Sequence, residues 1–187
     1  MGDINRSVRW IKKIAKDDTH GYDQAHRNSP DYDCSSLVAT ALNKGGFDIS
    51  PKCYTGNLLH ALTSIGFKSC KPPFKAGDIH LTPFKHTAMQ INDKQIVQAT
   101  NNELGGIVGG KTGDQTGKEI AIYDYYNFPW DYHLRYYEKP DDITDVAMDV
   151  IRGKYGNGIV RMRLLENAGY DFYSVQAKVN EIMRKLK

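Results

Sequence analysis

A thiol that acts as a nucleophile needs surroundings that favour its anion and a base within reach. The segment Asp31-Tyr32-Asp33-Cys34-Ser35-Ser36-Leu37-Val38 offers the first requirement. Cys34 falls where a polar loop gives way to an apolar-periodic helix. A thiol at a helix N-terminus meets free backbone N–H groups and the positive end of the helix dipole, which favour the thiolate. The same N–H groups can hold an oxyanion. His86 offers the second requirement. It opens the stretch His86-Thr87-Ala88-Met89-Gln90-Ile91, whose alternation reads as a strand with His86 on the face opposite Thr87, Met89 and Ile91. A cysteine on a helix tip and a histidine on a facing strand are the two halves of a Cys–His pair for acyl transfer. Gln98, in Ile96-Val97-Gln98-Ala99, lies on the next strand. In a hairpin it reaches a nitrogen of His86 and fixes the tautomer without adding charge. Each residue also has an ordinary alternative: a small core thiol, a surface histidine beside a turn, a polar strand residue.

These residues need helices and a sheet to hold them. Val8, Ile11 and Ala15 mark a first helix, and Leu37, Val38, Ala41 and Leu42 a second, stopped by Gly45-Gly46; a third covers about Thr55–Ser64. The period then changes to two. Strands are expected at Ile79–Leu81, Thr87–Ile91, Gln95–Thr100, Lys118–Tyr123 and Tyr132–Tyr137, with a Gly-rich loop over Asn101–Gly117. Helices first and an antiparallel sheet after them predict an α+β domain over residues 1–139. Lys139-Pro140-Asp141-Asp142 marks the boundary. Residues 140–187 read as a small three-helix bundle: Ile143, Val146, Ala147, Val150 and Ile151 share a face, a second helix runs from Ile159 to Ala168 before Gly169, and Phe172, Val175, Val179, Ile182 and Leu186 stripe a third.

Composition narrows the function classes. The chain has 187 residues, 40% hydrophobic and 25% charged, enough to bury a core and too apolar for disorder. The net charge of +3 is spread along the chain, without the concentrated basic surface of a nucleic-acid binder. No apolar run approaches a membrane span, and the N-terminus lacks the pattern of a signal peptide. Synthesis in a reducing cytoplasm is expected, with at least one free thiol among Cys34, Cys53 and Cys70.

Two motifs point elsewhere and fail on context. Gly105-Gly106-Ile107-Val108-Gly109-Gly110-Lys111-Thr112 fits the phosphate-binding pattern G-x-x-x-x-G-K-[ST]. That pattern needs a buried strand before it and a helix after it; Asn101-Asn102-Glu103 precedes it and Gly113 and Gly117 follow. His80, His86, Cys53 and Cys70 offer metal-ligand types, but no C-x-x-C, H-x-x-x-H or H-E-x-x-H spacing. His80 is expected to be a strand residue near the site. Asp33 and Asp78 are candidates to flank the thiol. His20, His26, His60 and His133 read as bland, and no metal or cofactor is expected.

Cys34-Ser35, His86 and Gln98 resemble, in order and spacing, the papain-like cysteine peptidases of the NlpC type, with the related CHAP amidases. Gly109-Gly110-Lys111-Thr112-Gly113-Asp114-Gln115-Thr116-Gly117-Lys118-Glu119-Ile120 and Tyr125-Tyr126-Asn127-Phe128-Pro129-Trp130-Asp131 resemble phage peptidoglycan amidohydrolases of the amidase-five (Pal-like) group. Ser36 departs from a common Gly, and Gln98 from a common His. Tyr22 matches the family tyrosine beside the nucleophile. The resemblance implies a papain-like domain with Cys34, His86 and Gln98 catalytic, and Tyr22, Asp33 and Ser35 against substrate. Val150-Ile151-Arg152-Gly153-Lys154-Tyr155-Gly156-Asn157-Gly158, Arg161, Ala168-Gly169-Tyr170-Asp171 and Val175-Gln176-Ala177-Lys178-Val179-Asn180 resemble the CW-seven cell-wall-binding repeat. That implies muropeptide contacts at Tyr155, Asn157 and Arg161, although Gly156-Asn157-Gly158 also reads as a pure turn. Together the resemblances imply a phage endolysin, made in the host cytoplasm and released onto the wall, that cuts a peptidoglycan amide. The bond is N-acetylmuramoyl–L-alanine or one in the stem, such as γ-D-glutaminyl–L-lysine. The alternative is a catalytically silent cell-wall-binding protein. Bacterial peptidoglycan is the partner expected, not nucleic acid or membrane.

Overall fold

The computed structural model describes residues 2–113, 116–137 and 143–186. It divides into two compact units, residues 1–137 and 138–187. The expected boundary at Lys139-Pro140 and the motif residues Asp114 and Gln115 lie outside the described residues.

The first unit is a mixed α+β fold. Its elements are α1 (Ile4–Ile14), α2 (Cys34–Lys44), α3 (Thr55–Ser64), β1 (Phe67–Ser69), β2 (Ile79–Thr82), β3 (His86–Gln90), β4 (Gln95–Ala99), β5 (Ile120–Asp124) and β6 (Tyr132–Tyr136). The strands form one antiparallel sheet in the order β1-β6-β2-β3-β4-β5. Strand β1 has no counterpart in the sequence reading. Three residues with one buried side chain leave no alternation to detect.

Pairing register fixes the two faces of the sheet. Ile79 lies opposite Met89 and Leu134, and Met89 opposite Val97. These residues, with Leu81, Ala99 and Ile120, share one apolar core with Val8 and Ile11 of α1, Leu37, Val38, Ala39, Ala41 and Leu42 of α2, and Leu58 and Leu62 of α3. Helix α2 is the central element. Every residue from Cys34 to Leu42 is buried, and its small Ser, Ala and Thr residues let it approach the helices and strands around it. The other face of the sheet carries His80, His86, Gln90, Gln98 and His133, since His80 lies opposite Ala88 and His133.

The second unit holds α4 (Ile143–Ile151), α5 (Gly158–Asn167) and α6 (Phe172–Lys185). Val146, Ala147 and Val150 of α4 meet Leu165 of α5 and Val175 and Val179 of α6 in a separate core. Gly169, with φ of +84°, stops α5 in the left-handed region. Asp171 caps α6 by accepting from the Ser174 N–H at 2.7 Å. Leu186, expected on the α6 stripe, is 72% exposed. It follows the last helical residue as the C-cap, where the helical period no longer directs it to the core.

Candidate active site

The tip of α2 is built before Cys34 begins. Asp33 is its N-cap, and its Oδ1 accepts from the Ser36 N–H at 2.6 Å and the Ser35 hydroxyl at 2.8 Å. Ser36 Oγ accepts in return from the Asp33 N–H at 3.0 Å, which completes a capping box. Asp33 Oδ2 accepts from Arg27 Nη1 at 2.8 Å. Arg27 Nη2 also donates to the Lys52 carbonyl at 3.0 Å. Arg27 was not singled out by the sequence; it sits in an aperiodic loop where pattern gives no signal. Asp33 and Ser35, expected against substrate, are buried with these polar atoms engaged inside the protein.

Cys34 is 6% exposed. Burial and the Asp33 carboxylate push its thiol up to about 12, against the opposing pull of the Thr87, Ser35 and Cys34 amides. The helix tip was expected to favour the thiolate. The amides do so, but loss of hydration outweighs them, and the resting group is a thiol. Tyr22 lies close enough for Cys34 and Asp33 to act on its charge, and burial raises its phenol to about 12. Its hydroxyl accepts from Gln24 Nε2 at 3.0 Å.

His86 begins β3, one residue before Thr87, whose amide acts on the Cys34 sulfur. Register makes Gln98 a diagonal cross-strand neighbour of His86 on the same face. His86 Nε2 and Gln98 Oε1 are 2.7 Å apart. An amide oxygen only accepts, so Nε2 carries the proton and Nδ1 is left as the free base. The Tyr126 hydroxyl donates to the same Gln98 oxygen at 3.0 Å. Trp130 stacks on the imidazole with centroids 5.8 Å apart and planes at 20°; Phe128 flanks it at 5.7 Å. Burial lowers the His86 pKa, and the Gln98 bond partly restores it. No hydrogen bond joins Cys34 directly to His86 among the described residues; such contacts commonly tighten only when substrate binds.

A second imidazole repeats the pattern without a thiol. His80 Nε2 lies 2.7 Å from Gln90 Oε1, and His80 Nδ1 lies 2.8 Å from His133 Nδ1. Gln90 Nε2 passes the chain on to the Asn92 carbonyl at 2.8 Å. Burial brings His80 down to about 4. His133, expected to be bland, therefore belongs to a buried network. Asp78, a candidate to flank Cys34, instead takes Arg135 through both oxygens at 2.7 and 2.6 Å and lies near Cys70. The phosphate-loop pattern leads into strand β5 and not a helix. Its turns hang on Asn102, whose Oδ1 accepts from Gly106 N–H at 2.8 Å and whose Nδ2 donates to the Val108 carbonyl at 3.1 Å.

In the second unit, Gly156 and Gly158 have φ of +63° and +55°, so the turn needs both glycines. Arg161 donates to the Gly156 carbonyl at 3.0 Å, Gln176 Oε1 at 3.0 Å and Asn157 Oδ1 at 2.9 Å. It ties the turn to α6. Tyr155 packs against the apolar core. Arg161 and Gln176 also line a cavity of about 210 Å³ with Ile159, Met162 and Phe172.

Comparison with known proteins places two segments. Residues 96–152 match the Endolysin-like domain family, and residues 144–183 match the CW_7 repeat family. The lysozyme of Streptococcus phage Cp-7 is 58% identical over 40 residues, 21% of this chain and 12% of that protein. Among solved structures, NlpC1 of Trichomonas vaginalis is 19% identical with a TM-score of 0.49, over 74% of this chain and 45% of its own. NlpC2 of the same organism is 19% identical with a TM-score of 0.45, over 74% and 48%. The chain therefore spans less than half the length of these proteins.

Proposed function

We propose that this chain is a phage endolysin that hydrolyses an amide bond of bacterial peptidoglycan by thiol chemistry. In this reading residues 1–139 are a papain-like catalytic domain of the NlpC type, and residues 140–187 are a three-helix module that grips the wall. The observation that carries it is the His86–Gln98 pair at 2.7 Å, beside a strand amide that acts on the Cys34 sulfur at a capped helix tip. The Endolysin-like and CW_7 matches support the wall as target.

The chemistry starts from two neutral groups. Cys34 gives its proton to His86 Nδ1 as its sulfur attacks the amide carbonyl carbon. Backbone N–H groups at the α2 tip receive the oxyanion, with Tyr22 beside them. The C–N bond breaks, His86 returns the proton to the leaving amine, and a thioester remains. Water, deprotonated by His86, attacks the thioester and releases the carboxylate and the Cys34 thiol. Gln98 holds the imidazole by accepting from Nε2. In the second unit Tyr155, Asn157 and Arg161 remain the candidates for muropeptide contact.

Mass spectrometry of purified peptidoglycan after digestion tests the reading. Wild type should release stems beginning at L-alanine, or stems split internally and still bound to glycan, and Cys34→Ala should release neither. Wall binding with no new fragments would leave a silent cell-wall-binding protein instead.

A further inference from the structure

The catalytic reading leaves one exposed aromatic pair beside the candidate site unused. Tyr54 and Phe84 are 47% and 77% exposed, and their rings meet with centroids 6.4 Å apart. Each stands where the backbone favours another residue type. Thr82-Pro83-Phe84-Lys85 is a turn closed by the Lys85 N–H on the Thr82 carbonyl at 3.1 Å. Phe84, its third residue, has φ of +59°. Proline second and a positive φ third define a type II turn, whose third position suits Gly or Asn. Tyr54 is the N-cap of α3; its N–H donates to Asn57 Oδ1 at 2.9 Å, but its own side chain makes no cap bond, at a position that favours Ser, Thr, Asp or Asn. Gly56 completes the arrangement, because a Cβ there would lie 2.5 Å from a ring carbon of both aromatics. Three local concessions thus produce one exposed aromatic pair, and such departures from local preference concentrate at functional sites.

The pair is tethered to both halves of the candidate site. Phe84 precedes His86 by two residues. Tyr54 follows Cys53, whose carbonyl accepts from Arg27 Nη1 at 3.4 Å. The same nitrogen donates to Asp33, the residue before Cys34.

We propose that Tyr54 and Phe84 form a sugar-binding platform for the candidate active site, taking the C–H face of a pyranose ring of the glycan strand. The electron-rich face of an aromatic ring attracts the weakly positive C–H bonds of a sugar. Two uncharged ring faces suit that surface better than the charged groups of a stem peptide. The proposal rests on the peptidoglycan reading above.

Steady-state kinetics of the full chain on two soluble substrates test it. One is a disaccharide–pentapeptide muropeptide. The other is the lactoyl–pentapeptide obtained by β-elimination of its sugars, which keeps the lactoyl–L-alanine amide and every amide of the stem. Phe84→Gly removes a ring and relieves the turn. Tyr54→Ser removes the other ring and supplies an N-cap acceptor, so both variants favour the local backbone. Wild type should show a KM at least tenfold lower on the muropeptide, and each variant should narrow that gap at least fivefold. Equal effects on both substrates would assign the rings to the peptide and overturn the proposal, as would an unchanged gap. Full hydrolysis by Cys34→Ala would strike at the thiol mechanism alone and leave the platform to be judged by the same gap; cleavage of neither substrate by wild type would strike at the peptidoglycan reading itself and remove the platform's ligand with it.

Discussion

Cys34→Ala deletes a buried sulfur from a helix tip whose cap keeps all its partners. Hydrolysis should fall to background while the melting temperature shifts by only a few degrees, because one small buried group is worth about 1 kcal/mol. In the proposed mechanism His86 sets the pH response. Burial lowers its pKa, and the base works only when neutral. The acid limb of kcat/KM should therefore lie below the ordinary histidine value of about 6.5. Gln98→Leu removes the bond that raises the His86 pKa. It should move that limb further down and lower kcat at neutral pH; a limb left in place would deny Gln98 its positioning role. The places of Cys34, His86 and Gln98 in the fold were legible because a helix tip and two adjacent strands have sequence periods. The protonation of Cys34 was not, since burial is a property of the assembled fold. The bond from Tyr126 to Gln98 was equally hidden, because the segment that carries it has neither period.

Helix α2 owes its position to a loop that shows no pattern. Arg27 joins Asp33 to the Lys52 and Cys53 carbonyls. Arg27→Met leaves the buried Asp33 carboxylate with only its capping bonds. A buried acceptor that loses a charged partner costs about 1–3 kcal/mol, so the variant should melt several degrees lower. It should lose activity through displacement of the helix tip, seen as a fall in kcat larger than the rise in KM. An unchanged melting temperature would mean that the cap alone holds the tip. The turn at Phe84 shows the opposite balance. A bulky residue at φ of +59° carries strain of about 1–2 kcal/mol, so Phe84→Gly should melt no lower than wild type. The helices and five of the strands were readable from apolar spacing and glycine stops. Strand β1 escaped because it is short, and the turn conformation at Phe84 because its residue type argues against it.

The molecule contains two separate apolar cores, one in each unit, and all six histidines lie in the first. That asymmetry predicts how stability responds to acid. His80 titrates near 6.5 when unfolded and at about 4 when folded. Between those values the unfolded chain binds the extra proton, so the stabilisation present above pH 6.5 drains away as pH falls. At pH 5 the loss for His80, which is fully buried, is about 2 kcal/mol. His86 and His133 shift in the same direction. The second unit has no such group. Its lowered carboxylates, Asp149, Asp171 and Glu181, contribute stability above their unfolded values and lose it only as pH falls below about 4. Calorimetry of the full chain at pH 7.5 and pH 5 should therefore resolve two transitions, of which one moves down by several degrees and the other stays. His80→Gln should reduce the movement of the first without touching the second. A single transition that shifts as a whole would mean that the two cores unfold as one. Equal shifts of two transitions would mean that acid acts through groups other than the buried imidazoles.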